Sequence, residues 1–212
     1  MDLDYFFVGN DLVDLLLPEN QAKVQNKRWL DKIFVPSEQH IIAQAAHANT
    51  MAWLLWSCKE SAYKVAIKQG MLPNYRPLDF VVMPNNNLLS PTIRAMVQTP
   101  VGVFYTQSAQ NTHYVYSVAA AKLFDWSKAF IYLHKFDTLV DCLTAQQWQR
   151  PLLQASEQHF NFAPHTLSIQ KQLHNVPILC QNSNVLQGFD VSLSHDGVWA
   201  AVLIVGGKGK MW

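Results

Sequence analysis

A carboxylate and an ammonium group stand four residues apart in segment 56–64, Trp-Ser-Cys-Lys-Glu-Ser-Ala-Tyr-Lys. The segment reads as a helix, and this spacing places Glu60 and Lys64 one turn apart on the same face. A positioned carboxylate can accept a proton, and an ammonium group can neutralise an anion. Taken alone, however, such a pair is more typical of an ordinary ion pair on a helix surface.

Two further segments place polar residues directly after apolar runs. Near the N-terminus, residues 5–8 (Tyr-Phe-Phe-Val) are followed by residues 9–14 (Gly-Asn-Asp-Leu-Val-Asp). Near the C-terminus, residues 190–193 (Asp-Val-Ser-Leu) run into residues 194–197 (Ser-His-Asp-Gly). Each segment has a simpler interpretation, since Asp11 could cap a turn and His195 could belong to an ordinary loop. Coincidence becomes implausible only when all three segments are considered jointly and in order.

Together the three segments resemble the signature of the 4'-phosphopantetheinyl transferases, which load carrier proteins with the arm of coenzyme A. The helical motif of that family, aromatic-x-x-Lys-Glu-Ala/Ser-x-x-Lys, is matched at Trp56, Lys59, Glu60, Ser61 and Lys64. The Gly-aliphatic-Asp-aliphatic motif is matched at Gly9, Asp11 and Leu12, but Asn10 departs from it. A third family segment, a strand that ends in Ser-His before a strand of small residues, is matched at residues 192–195 and 200–202.

The resemblance implies a reaction and a metal. Phosphopantetheine moves from coenzyme A to a serine of the carrier, and adenosine 3',5'-bisphosphate is released. Mg²⁺ is the expected cofactor, with Asp11 and Glu60 as its ligands, because this cation binds through one or two carboxylates plus substrate phosphates. Glu60 is also the candidate base, and Lys64 is expected to neutralise phosphate charge. The second carboxylate of the family's long form is replaced by Val13, and a metal contact of Asp14 is left open.

Five residues are candidates for binding coenzyme A. His195 is expected to hydrogen-bond the pyrophosphate, with the hydroxyl of Ser194 beside it. Lys59 precedes Glu60 and points to a different helix face, where the coenzyme's phosphates could meet it. Arg28 and Lys32 resemble a basic segment that lies near the adenosine phosphates in relatives.

Composition limits the classes of protein and partner. The chain has 212 residues, 50% of them hydrophobic, which is enough for one large domain or two small ones. A net charge of +1 favours neither nucleic acid nor a membrane surface as partner. Three cysteines without CxxC spacing argue against a disulfide framework and a zinc site. The acidic start and the lack of a membrane-spanning apolar run predict a cytoplasmic protein.

The elements that position these residues are predicted from periodicity and turn signals. A buried strand is expected at 5–8, with Gly9 as a sharp exit. Helices are expected from about 38 to 48, with Ser37 as N-cap, and from about 51 to 68, with a break near 49–50. Strands are expected at 80–83, 92–98, 102–107 and 114–121, with a polar turn at 85–87. A second helical tract, from about 136 to 160, precedes strands at 167–170, 176–180, 189–193 and 198–205.

Helices followed by an antiparallel meander therefore occur twice, and we interpret this as a weak internal repeat. The predicted fold is α+β, with similar modules at 1–123 and 124–212 arranged as a pseudo-dimer. In the resembled family the site lies where two modules meet, so a monomer with one cleft between its halves is expected. The implied partner is an acyl or peptidyl carrier protein, of a pathway left open between fatty acids, polyketides, peptides and pigments. The alternative function is a non-catalytic relative that binds coenzyme A or a carrier without transfer.

Overall fold

The computed structural model describes residues 6–85 and 92–206. Tyr5 of the first predicted strand lies outside the described residues, as do Asn86 and Asn87 of the predicted polar turn. The predicted fold class is confirmed, because the described residues form antiparallel sheets and four α-helices in an α+β arrangement.

The first half consists of one five-stranded sheet and three helices. Strand β1 (Val8–Asp14) is followed by helices α1 (Lys27–Ile33), α2 (Pro36–Gln44) and α3 (Ala48–Lys68). Four strands complete it, β2 (Val81–Pro84), β3 (Thr92–Thr99), β4 (Gly102–Gln110) and β5 (Tyr114–Ala120). The strand order is β1-β5-β4-β3-β2, so the first strand pairs with the last. Helix α3 buries Leu54, Leu55 and Cys58 in the core of this half, and this burial fixes the helix on the sheet.

The second half contains two three-stranded sheets and one helix. Its elements are β6 (Phe130–Lys135), α4 (Ala145–His159), β7 (Leu167–Lys171), β8 (Pro177–Gln181), β9 (Asn184–Val185), β10 (Asp190–Asp196) and β11 (Trp199–Val205). The sheets have the orders β10-β11-β6 and β7-β8-β9. In β6-β11-β10, as in β1-β5-β4, the first strand of the half pairs with the last. The duplication of modules 1–123 and 124–212 stays a prediction that this shared order supports.

Gly9 lies inside β1, where the sequence predicted the exit from a strand. The strand begins at Val8 and continues to Asp14, with Gly9 paired to Ala119 of β5. A Cβ at Gly9 would lie 2.1 Å from the carbonyl oxygen of Ser61 in α3. Gly9 is therefore required by the close approach of helix and strand. The prediction was wrong because the polar residues of β1 interrupt its apolar pattern.

The boundary between α2 and α3 also differs from the prediction. The break lies at residues 45–47, so α3 begins at Ala48. The N-cap of α2 is Val35 in place of Ser37, and the Val35 N–H donates to Oε2 of Glu38 at 3.0 Å. The other oxygen of Glu38, Oε1, accepts the N–H of Val82 at 2.7 Å, so this buried carboxylate joins α2 to β2.

The second helical tract is shorter than predicted. Helix α4 begins after Thr144, whose hydroxyl accepts the Gln147 N–H in a capping box, and Pro151 lies inside the helix. Strands β6 and β9 were not predicted. β6 lies close to the expected boundary between the two modules, and β9 has only two residues.

The two halves pack through a shared apolar layer. Val8 and Leu12 of β1 meet Ala201 and Leu203 of β11 there, together with residues of β5. Among the described residues, no helix combines the length and the apolar character needed to cross a membrane.

Candidate active site

Strands β1 and β10 lie side by side, and we call their line of contact, with the side chains of α3 that reach it, the seam. One edge of β1 pairs with β5, and N–H groups of β1 also bond side chains of β10. Val8 donates to Asp190 Oδ2 at 2.7 Å, Asn10 to Ser192 Oγ at 3.0 Å and Asp14 to Asp196 Oδ2 at 2.8 Å. Buried backbone donors need partners, and here side chains supply the acceptors that strand carbonyls usually provide.

The seam has a gap opposite Ser194. Its three contacts each join residues 182 apart, and the same register places Ser194 opposite Leu12. Ser194 Oγ is buried and has no hydrogen-bond partner within the described part of the chain. The row of hydrogen bonds along the seam is therefore interrupted where Asp11 and Ser194 lie.

Lys68 of α3 closes one end of the seam. Its Nζ donates to the carbonyls of Val8 and Val191, each at 2.7 Å, and pairs with Asp190 at 2.8 Å. The side chain is only 2% exposed. Sequence reasoning missed this residue, although Glu60, Lys64 and Lys68 follow each other at the four-residue spacing of one helix face.

Lys64 makes the corresponding contacts beside the gap. Its Nζ donates to the carbonyl of Asn10 at 2.7 Å and to that of Leu193 at 3.4 Å. It also lies 3.5 Å from Oδ1 of Asp11. Lys64 therefore joins the two halves, and its side chain is still 30% exposed.

Asp11 and Glu60 lie close enough to influence each other's charge. The pKa of Glu60 is raised to about 7, by burial first and then by the negative charge of Asp11, while Lys64 opposes the shift. Burial also raises the pKa of Asp11, again against the attraction of Lys64. Two partly desolvated carboxylates beside one ammonium group form a site that favours additional positive charge.

A divalent cation fits this pair of carboxylates. Oδ2 of Asp11 is buried and has no hydrogen-bond partner among the described residues, so its lone pairs are free for a metal. Mg²⁺ prefers such oxygen ligands and keeps several waters. Within residues 6–85 and 92–206, no three or more His, Cys, Asp or Glu side chains form a metal cluster. A cation held by Asp11 and Glu60 would therefore take its other ligands from water and substrate.

Asp14 is engaged elsewhere. Its Oδ1 accepts the Leu16 N–H at 2.9 Å, and its Oδ2 accepts the Val198 N–H at 3.2 Å. Gly197 packs against this carboxylate with a φ of +57°, and a Cβ there would lie 2.2 Å from Asp14 Oδ2. Asp14 therefore secures the end of the seam, and its oxygens are satisfied without a metal.

Asp196, at the same end of the seam, is expected to make stability depend on pH. Its Oδ2 accepts hydrogen bonds from the Asp14 N–H and from Asn20 Nδ2, yet burial raises its pKa to about 6. The folded protein thus holds this proton more tightly than the unfolded chain, whose Asp pKa is about 3.9. The contribution of Asp196 to the free energy of unfolding should therefore fall as the pH rises from about 4 to about 6.

Asp196→Asn should remove that part of the pH dependence, because the amide does not ionise. Denaturant unfolding of both proteins across this pH range measures the difference. Equal pH slopes for the variant and the unaltered protein would contradict the assignment.

Ser194 and His195 point to opposite faces of β10, as successive residues of a strand do. Ser194 is 6% exposed. The ring of His195 lies 4.8 Å from that of Trp148 in α4, and its Nδ1 is 3.7 Å from Asp141 Oδ1. Burial lowers the pKa of His195, Asp141 opposes this, and the charge of Lys64 adds to it. The Ser194 hydroxyl is thus not beside the ring of His195, in contrast to the expectation.

Lys59 is placed away from the site. Its side chain is fully buried, with Nζ 2.7 Å from Glu38 Oε2 and hydrogen bonds to the carbonyls of Ile33 and Pro77 at 2.9 and 3.0 Å. These contacts use all three donors of the ammonium group. The structure therefore does not support the expected contact of Lys59 with coenzyme phosphates, and instead gives this lysine a structural role between α2 and α3.

Arg28 and Lys32 are exposed on α1. Neither forms an ion pair among the described residues, and no hydrogen bond of the described residues links them to Asp11 or Glu60. Their contact with the adenosine phosphates stays a prediction.

Tyr75 is a residue near the site that sequence reasoning missed. Its hydroxyl is buried and, in the part of the chain that the structure describes, has no hydrogen-bond partner. Burial raises the pKa of Tyr75, and the charges of Glu60 and Asp11 raise it further. No spacing in the sequence signals this residue, because it lies in an irregular segment outside the three motifs.

Comparison with known proteins identifies the family. A model of the 4'-phosphopantetheinyl transferase superfamily matches residues 7–120, more than half of the 212 residues. The matched range contains Asp11, Glu60 and Lys64, and it ends before Ser194 and His195. A search of curated proteins found no match. With a partly buried carboxylate pair beside Lys64 and this match over most of its first half, the chain belongs to the 4'-phosphopantetheinyl transferase superfamily.

Proposed function

We propose that the protein transfers the 4'-phosphopantetheine arm of coenzyme A to a serine of an acyl or peptidyl carrier protein. The serine oxygen forms a bond to the phosphorus that bears pantetheine, and the pyrophosphate bond on its other side breaks. The serine proton goes to a base, and adenosine 3',5'-bisphosphate leaves. The observation that carries this proposal is the juxtaposition of Asp11 and Glu60 beside Lys64, where the row of hydrogen bonds along the seam is interrupted.

Glu60 is the base of this proposal. Without a bound cation, burial and the charge of Asp11 raise the pKa of Glu60 to about 7, so this carboxylate binds a proton more strongly than an ordinary glutamate does. Glu60 and Asp11 would also hold Mg²⁺, which when bound neutralises charge on the pyrophosphate. Lys64 lies within 3.5 Å of Asp11 and supplies the fixed positive charge that remains when the substrate arrives.

His195 is the contribution of the second half. It lies on β10, two residues beyond Leu193, whose carbonyl binds Lys64, and the charge of Lys64 reaches its ring. Its side chain is 37% exposed, and a neutral ring can donate one hydrogen bond to a phosphate oxygen. If both halves contribute residues to one site, a single chain can carry a complete site. We therefore propose that the protein is a monomeric pseudo-dimer. A contact of Ser194 with coenzyme A stays a proposal, supported by its buried hydroxyl, which has no hydrogen-bond partner among the described residues.

Mass spectrometry tests the proposal. An apo carrier protein incubated with the protein, coenzyme A and Mg²⁺ should gain the mass of one phosphopantetheine group. The same mixture with a chelator in place of Mg²⁺ should show no gain. If neither an acyl nor a peptidyl carrier gains mass while coenzyme A still raises the melting temperature, the protein is a non-catalytic coenzyme-binding relative.

His195→Ala should raise the KM for coenzyme A about 10-fold or more, since a hydrogen bond to a charged group contributes about 1.5–3 kcal/mol. The KM for the carrier should change much less. His174→Ala provides the control, because His174 lies in a short turn between β7 and β8, away from the seam. An unchanged KM for coenzyme A in His195→Ala would mean that the second half does not contact the coenzyme.

A further inference from the structure

The chain reverses direction after α3 and returns along the helix. Gly70 adopts a φ of +95°, a conformation that favours glycine. The Met71 N–H then donates to the carbonyl of Ala66 at 3.0 Å, a common ending of helices. The following segment brings Tyr75 back over α3.

The ring of Tyr75 spans the position of Glu60. Its centroid lies 5.8 Å from that of Trp56 and 4.5 Å from that of Tyr63. Residues 56, 60 and 63 share one helix face, since they are four and three apart. A ring that contacts both Trp56 and Tyr63 therefore crosses the turn that carries Glu60. The ring of Phe80, which is 1% exposed, also packs against Tyr75, with 5.5 Å between the two ring centroids.

The hydroxyl of Tyr75 makes no hydrogen bond that would explain its position within the described residues. It is buried and forms no hydrogen bond of good geometry among the described residues, yet it lies close enough to the Glu60 carboxylate to lower the pKa of that group. A buried donor without a partner costs about 1–3 kcal/mol, so its retention calls for an explanation. Hydrogen bonds of active sites are often too long before substrate binds and shorten in the loaded complex.

We propose that Tyr75 is a positioning residue, whose hydroxyl donates a hydrogen bond to the carboxylate of Glu60 in the loaded site. Its ring, fixed by Trp56, Tyr63 and Phe80, also excludes water from that side of the carboxylate. This inference rests on the proposed function, because it assigns Glu60 the roles of base and metal ligand.

Tyr75→Phe tests the hydroxyl while keeping the packing of the ring. The variant should keep its melting temperature and its KM values for coenzyme A and carrier, and kcat should fall about 10-fold or more. A merely structural role of the hydroxyl would not produce this separation of kcat from KM. Tyr63→Phe is the matched control, since it makes the same change on the adjacent ring and should leave kcat within about twofold. Equal kcat values for Tyr75→Phe and the unaltered protein, or an equal loss in both variants, would overturn the inference.

Calorimetric titration with Mn²⁺ gives a readout that does not need transfer. Groups that orient a metal ligand typically change metal affinity about 10- to 100-fold when they are removed. Tyr75→Phe should therefore bind Mn²⁺ at least about 10-fold more weakly than the unaltered protein and Tyr63→Phe. Equal affinities in all three proteins would count against the inference.

The two readouts separate this inference from the proposed function. If carriers gain no mass but Tyr75→Phe selectively weakens Mn²⁺ binding, the proposed transfer fails and the positioning of Glu60 stands. If transfer occurs and Tyr75→Phe matches the unaltered protein in both readouts, the proposed function stands and the inference is wrong. If the unaltered protein neither transfers the arm nor binds Mn²⁺, both are wrong.

Discussion

Glu60→Gln is expected to reduce transfer by at least about 100-fold, because a positioned base typically contributes about 10²- to 10⁴-fold. The amide keeps the shape of the side chain and cannot accept the serine proton. The fold should survive, since Glu60 carries a partly desolvated charge beside another carboxylate, and its removal relieves that repulsion. Single-turnover transfer measures the chemical step, and thermal unfolding measures the fold.

Glu19→Gln is the control for this variant, because Glu19 is exposed in a short turn after β1 and should be dispensable. The melting temperature of Glu60→Gln should equal or slightly exceed that of the unaltered protein. Normal transfer by a folded Glu60→Gln protein would remove Glu60 from the mechanism.

Lys59→Met should have the opposite effect, a loss of stability with little change in catalysis by the folded protein. The substitution leaves the carboxylate of Glu38 buried without its partner, and breaking a buried ion pair in this way typically costs about 3–5 kcal/mol. It also leaves the carbonyls of Ile33 and Pro77 without their donor. Denaturant unfolding measures the loss.

Two further variants make this test specific. Lys27→Met removes an exposed ion pair with Asp31, and it should change stability by less than about 1 kcal/mol. Adding Glu38→Gln to Lys59→Met should recover part of the loss, because the double variant no longer buries an unpaired charge. A stable Lys59→Met protein with a raised KM for coenzyme A would instead support the contact between Lys59 and the coenzyme phosphates that was expected from the sequence.

Most of the fold could be predicted from local signals. The meander of β2 to β5 has clear turns and alternating patterns, and α3 has a continuous apolar face. The errors arose where tertiary contacts override local pattern. β1 contains Asn10, Asp11 and Asp14, polar residues that a lone strand would not bury, but β10 supplies acceptors for the N–H groups of Asn10 and Asp14, and the Asp14 carboxylate accepts the N–H groups of Leu16 and Val198.

The candidate site was predictable in its residue types and only partly in its geometry. The spacing of Glu60 and Lys64 fixed their common helix face, and the alternation along β10 could have shown that Ser194 and His195 diverge. The burial of Lys59 could not be predicted, since its partner Glu38 lies 21 residues away and no local spacing links them. The position of Tyr75 could not be predicted either, because only the reversal of the chain after α3 brings this residue to Glu60.

The acceptors that β10 offers to β1 have a consequence for how the molecule behaves in a crowded solution. A strand with free N–H groups is a template on which another chain can add a strand, the first step of sheet-based aggregation. Asp190, Ser192 and Asp196 occupy those donors with side chains, so no further strand can bond to them at these positions. The second half thus protects this edge of the first half from self-association.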